Sequence, residues 1–182
     1  MEKLITYRFV DSPIGRLLLT AQGPFLSGLF FEPHEGPPIA GAEARPGDEP
    51  FAAVAAQLEA YFAGRLQEFE VALQLAGTPF QRRVWNELVR IPFGVTLTYA
   101  QLAARIGQSS AVRAVGHANA RNPVAIIVPC HRVIGTDGSL VGYGGGLERK
   151  RWLLDLERNR SAAEYRSQSP ATTEPLATAS AR

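Results

Sequence analysis

Sulfur is scarce in this chain. One cysteine, Cys130, and one methionine occur in 182 residues. A lone thiol excludes an internal disulfide and any zinc site built on paired cysteines. Histidine is nearly as rare, and His34, His117 and His131 stand at no spacing that serves a metal. Long apolar runs are missing too, with nothing close to the about 20 residues of a membrane span. The opening MEKLITYRFVDSP has no basic stretch leading into an apolar one, so no signal peptide is expected. These absences point to a reducing compartment, with a cytoplasmic, nucleoid-associated location and no membrane partner as the expectation. What remains is ordinary globular material, 46% hydrophobic and 20% charged.

The net charge of +2 hides an asymmetry. Residues 1–77 carry five basic and ten acidic side chains, a balance of −5. Residues 78–160 carry twelve basic and five acidic, a balance of +7. A basic half can meet a polyanion; attraction between the two halves explains the pattern equally well.

Periodicity divides the chain at the same place. Residues 4–31 show three apolar runs punctuated by DSPIG and QGP, the pattern of an antiparallel meander. Residues 32–50 are rich in Pro, Gly and acid and read as a loop. FAAVAAQLEAYFAG (51–64) has helical spacing and a glycine stop. EFEVALQL (68–75) alternates as a strand does. Thr78 is a good N-cap for a helix opening on Pro79, with Phe80, Val84, Leu88 and Ile91 on one side. Residues 98–123 read as helix, short turn GQSS, helix, the size of a helix-turn-helix. VAIIVPC (124–130) reads as a short strand. A glycine-rich loop then leads into a last helix, and residues 161–182 lack periodicity and are expected to be disordered. The fold class expected is α+β: an N-terminal sheet domain (1–77) and a mainly helical domain (78–160).

Cys130 sits in VPCHRVIG, with His131 and Arg132 after it. A buried cysteine is often only a small hydrophobe. A reactive one needs a base or positive charge, and those residue types are adjacent. On a strand, however, His131 would point away from the thiol unless the chain kinks or a water bridges them. A carboxylate to orient the imidazole could come from Asp155 or Glu157 in LLDLERN. Arg113 opens AVRAVGHANA, whose small side chains suit close helix packing or sequence-independent DNA contact. GYGGGLE (142–148) lacks the lysine–serine ending of a nucleotide-binding loop, but its amides could donate to a flat ligand.

PCHRV (129–133), TYAQLA (98–103), RAVGHANARNP (113–123) and GYGGGLERKRWLLDLE (142–157), in that order, resemble the O6-alkylguanine-DNA alkyltransferases. The resemblance covers residues 78–158; residues 1–77 match only in style, similar to that family's ribonuclease-H-like domain. It implies repair of O6-alkylguanine, and of O4-alkylthymine, in double-stranded DNA by a monomer without cofactor or metal. Cys130 is then the alkyl acceptor, His131 its base through a water, Glu157 the carboxylate orienting His131, and Asn122 the asparagine shaping the site. Tyr99 donates to the flipped guanine, and Arg113 fills the vacated stack, with Ala114 and Gly116 beside it on the DNA face. Arg132, Tyr143, Gly144 and Gly145 complete the DNA and base contacts. Gly144 departs from members with serine there, so backbone amides must meet the guanine O6. Relatives with tryptophan in place of the cysteine bind without repairing; this chain keeps the cysteine. Two other classes fit the residues alone: a non-catalytic lesion binder and a Cys–His hydrolase.

Overall fold

The computed structural model describes residues 5–32 and 50–168, with side chains as far as residue 161. His34 and most of the 32–50 loop lie outside the described residues.

Three strands, β1 (Ile5–Val10), β2 (Leu17–Gln22) and β3 (Phe25–Phe31), form an antiparallel sheet in the order β1-β2-β3. The β2–β3 turn is Gly23–Pro24; Gly23 has φ +58°, a conformation that costs glycine little. Leu17, Leu19, Ala21, Leu26, Leu29 and Phe31 are buried. They share one core with Phe51, Val54, Leu58 and Tyr61 of α1 (Phe51–Phe62).

The expected strand over 68–75 is reduced to one parallel bridge between Leu26 and Leu73. The physical reason is competition. The Gln57 amide on α1 takes both backbone valences of Glu70, donating to its carbonyl at 2.9 Å and accepting from its N–H at 2.8 Å.

α2 (Pro79–Val89) starts as its sequence requires. Thr78 and Gln81 form a reciprocal capping box, with Pro79 at the first position. Val84, Leu88 and Ile91 are buried, Phe80 is half-buried, and Trp85 joins them, its indole donating to the Ala118 carbonyl at 2.8 Å. A second capping box, Thr98 with Gln101, opens α3 (Tyr99–Arg105). α4 (Val112–Ala120) follows after a short turn and packs on both α2 and α3. β4 (Leu97–Thr98) pairs in parallel with β5 (Val133–Ile134).

The strand expected over 124–130 is instead a compact turn followed by a 3-10 helix, Cys130–Arg132. Asn122 explains the change. Its Oδ1 accepts from Val124 N–H at 3.0 Å and its Nδ2 donates to the Val128 carbonyl at 2.7 Å, pinching the segment closed. Ile126 at the apex has φ +70°. Val124 still makes a single bridge to Leu29 of β3, so the N-terminal sheet is bonded directly to the cysteine segment.

α5 (Leu147–Gln168) runs eight residues past position 160, where disorder was expected to begin; residues 169–182 lie outside the described part. Among the described residues no helix is long and apolar enough to cross a membrane.

Candidate active site

A cavity of about 890 Å³ opens between β3, the end of α4 and the glycine-rich loop. Cys130 lies in its wall with Asn122, Tyr143, Gly144 and Gly145. The thiol residue is only 5% exposed. Burial pushes its pKa up, while a hydrogen bond from Asn122 and the charge of Lys150 pull it back. Burial therefore favours the protonated thiol at Cys130.

The 3-10 turn places His131 on the same short segment. His131 is fully buried, and burial lowers its pKa below the ordinary 6.5 although Glu157 works in the opposite direction. Its Nε2 meets Glu157 Oε1 at 2.8 Å, whereas Nδ1 is buried with no hydrogen-bond partner. Beside an ionised carboxylate Nε2 carries the proton, which leaves the Nδ1 lone pair free to accept.

Glu157 is 1% exposed and accepts five hydrogen bonds: from Tyr61 Oη, His131 Nε2, Arg132 Nε, Arg132 Nη2 and the Gly94 amide. Burial alone would raise its pKa. The hydrogen bonds and charges of His131 and Arg132 outweigh it and hold the carboxyl well below the usual range. Asp155, its alternative in sequence, is exposed. The helix repeat separates them: Lys150, Leu153, Leu154 and Glu157 are buried at the spacing of one helix face.

Arg132 does not stand on the DNA side as expected. It is 5% exposed, grips Glu157 through two nitrogens at 2.9 Å and also donates to the Ile91 carbonyl. Three of its five N–H donors are spent inside the protein, on Glu157 and the Ile91 carbonyl.

Tyr99 donates from its hydroxyl to the Val141 carbonyl at 3.1 Å and receives Asn119 Nδ2 at 3.4 Å. Burial raises its pKa, so the phenol keeps its proton. The Tyr143 hydroxyl is buried with no partner, and its ring tilts against Phe31 at 5.7 Å. Gly144 and Gly145 line the cavity. Arg113 and Ala114 are exposed on the first turn of α4; Gly116 is half-buried near the Tyr99 ring.

Four further contributors were not singled out among the candidate site residues. Lys150 is fully buried and donates to the Val133 and Val141 carbonyls at 2.6 and 2.7 Å, tying β5 to the loop below the cysteine. Burial lowers its pKa to about 8. Its seven-residue spacing from Glu157 was the available signal. Asn119 links Tyr99 to the Cys130 carbonyl at 3.4 Å. Arg149 clamps the glycine-rich loop to the sheet domain, donating to the Gly145, Ile14 and Glu32 carbonyls. Tyr61, from α1, has no sequence signal pairing it with Glu157.

Among the described residues no cluster of His, Cys, Asp and Glu could hold a metal ion. What is assembled is a buried thiol at the wall of a cavity and, beside it in sequence, a buried imidazole oriented by a carboxylate.

The 6-O-methylguanine DNA methyltransferase models match this chain twice: the ribonuclease-like domain at residues 5–75 and the DNA binding domain at residues 79–159. A methylated-DNA–protein-cysteine methyltransferase from Mycobacterium tuberculosis is 50% identical over 166 residues, covering 88% of this chain and 97% of that protein. The crystal structure of the M. tuberculosis O6-methylguanine methyltransferase superposes with a TM-score of 0.81 at 48% identity, covering 92% of this chain and 96% of the other. That organism's protein in complex with DNA gives 0.80 at 51% identity, covering 85% and 94%. With both halves matched in order and the Cys130–His131–Glu157 arrangement assembled within the second, the chain belongs to the 6-O-methylguanine DNA methyltransferase family.

Proposed function

We propose that this protein repairs DNA by moving an alkyl group from the O6 of guanine in duplex DNA onto Cys130, once per molecule. The observation that carries the reading is the buried thiol opening into the cavity, backed by a histidine whose Nδ1 lone pair is free. His131 takes the thiol proton through a bridging water, and Glu157 stabilises the imidazolium that results. The sulfur lone pair attacks the alkyl carbon. The carbon–O6 bond breaks, and its electron pair leaves on the guanine. Tyr99, still protonated, turns its hydroxyl from the Val141 carbonyl toward the base, and the loop amides of 144–146 meet the developing charge. The guanine anion takes up one proton, balancing the one His131 removed from the thiol, so the products are a thioether and unmodified guanine. No second thiol exists in the chain to release the group.

Reaching O6 inside a duplex requires the nucleotide to be flipped out, at a cost of a few kcal/mol. The α3–turn–α4 unit serves as the helix-turn-helix that docks on DNA, with Arg113, Ala114 and Gly116 on its face. The N-terminal unit (1–77) acts as scaffold and the 78–160 unit carries binding and chemistry. The protein works as a monomer on cytoplasmic DNA, and O4-alkylthymine is a second substrate of the same site.

The test is duplex DNA carrying one radiolabelled O6-methylguanine. Label is expected on protein, reaching no more than one equivalent, and none on Cys130→Ser, which keeps its DNA affinity. Repeated turnover, or label on the serine variant, refutes the assignment.

A further inference from the structure

Glu157 Oε1 is shared. It accepts from Tyr61 Oη at 2.7 Å as well as from His131 Nε2 at 2.8 Å. Tyr61 lies 96 positions before Glu157, on α1, inside the half matched as ribonuclease-like. Its side chain is 0% exposed. The ring sits among Phe62, Phe69 and Phe93, with centroids 5.5, 5.3 and 6.0 Å away. Phenylalanine would fill that space equally well. The hydroxyl is the part packing does not explain, and its partner is the carboxylate that orients the base.

Arg132 Nη2 donates to the same oxygen at 2.9 Å, so three donors divide the charge of Oε1 among them. The less charge Oε1 presents to Nε2–H, the weaker its hold on an imidazolium. We infer that Tyr61 is a positioning residue of the transfer site, its hydroxyl fixing Glu157 Oε1 against His131 and tempering that carboxylate's pull on the imidazole. This rests on the alkyl-transfer reading above, and it makes the N-terminal unit part of the reaction rather than a scaffold alone.

The other groups facing the pair are accounted for. Glu157 meets His131 and Arg132 from the 3-10 turn and the Gly94 amide from the loop after α2. Burial holds His131 away from protonation most strongly, Glu157 pulls it toward protonation, and Arg132 and Lys150 of α5 oppose Glu157. Tyr143 also feels Tyr61 and Glu157. Removing the Tyr61 oxygen deletes none of these side chains, and takes from Tyr143 only the influence of Tyr61.

Tyr61→Phe keeps the ring and deletes the donor. Side-chain nitrogen NMR of His131, assigned by loss of its signals in His131→Gln, is expected to show protonation at a pH higher by about one unit. The acid limb of the single-turnover transfer rate moves up by the same amount. Tyr61→3-fluorotyrosine, introduced at that position alone, is a stronger donor and moves both the opposite way. A merely structural role would lower thermal stability without producing shifts of opposite sign. His131 titrating at the wild-type pH in either variant, or moving the same way in both, overturns the inference. A wild-type protein that takes no label from O6-methylguanine overturns the functional reading instead, and the NMR titration still decides whether Tyr61 governs His131.

Discussion

Replacing Glu157 with glutamine removes one charge and almost no volume, so its cost reports the electrostatics of the site. The carboxylate accepts five hydrogen bonds and donates none. Glutamine must aim its NH2 at one set of donors. On the Oε2 side it confronts Arg132 Nε and the Gly94 amide; on the Oε1 side it confronts Tyr61, His131 and Arg132 Nη2. In either orientation Arg132, 5% exposed, loses its counter-charge and one of its two hydrogen bonds to this side chain, keeping the other and the Ile91 carbonyl. Leaving one member of a buried pair uncompensated costs about 3–5 kcal/mol. At about 2–4 °C per kcal/mol for a chain of this size, the melting temperature falls by on the order of 10 °C. The exposed Asp155→Asn on the same helix is the control, expected within about 0.5 kcal/mol of wild type. The pH dependence follows from the direction of the shift. The carboxyl is held below its ordinary value of 4.5, so the unfolded chain binds its proton first. The stabilisation is therefore full above that value and is lost as pH falls toward the folded one. The gap between wild type and Glu157→Gln should be full at neutral pH and shrink on acidification. Transfer should also collapse, because His131 loses both its orientation and its imidazolium partner. Thermal and denaturant unfolding across pH measure the first effect, and label uptake the second. A variant melting within about 2 °C of wild type at neutral pH would refute the reasoning, since Arg132 would then not depend on Glu157.

Arg113→Ala should slow repair of duplex DNA by on the order of 100-fold, matching the few kcal/mol of holding a flipped base. Reaction with free O6-benzylguanine should be nearly unchanged; equal losses on both substrates would place Arg113 in the pocket's architecture. Gly145→Ala puts a methyl group 2.4 Å from Phe31 Cδ2 and 2.9 Å from Tyr143 Cε1. Overpacking of this kind costs about 1–3 kcal/mol, and the narrowed cavity should lose benzyl transfer more than methyl transfer, compared as single-turnover rates.

The features legible in the sequence were those set by short-range energy. Thr78, Pro79 and Gln81 start α2 because capping and ring geometry act within four residues. The β1–β2–β3 meander follows from apolar runs cut by Pro- and Gly-bearing turns, and the helix pair 99–120 from two helical stretches around the GQSS turn. The PCHRV segment singled out Cys130 and His131 through neighbouring residue types. Local patterns misread 68–75 and 124–130, because Gln57 and Asn122 took the backbone hydrogen bonds a ladder would have used. Long-range packing decided the remainder. Whether Arg132 faces DNA or a carboxylate, and whether Asp155 or Glu157 is buried, depends on which polar groups α5 carries into the core. The pairing of Tyr61 with Glu157 across 96 positions exists only once α1 and α5 have docked. A buried charge must be matched by donors wherever in the chain they originate, and that requirement is met in space rather than along the sequence.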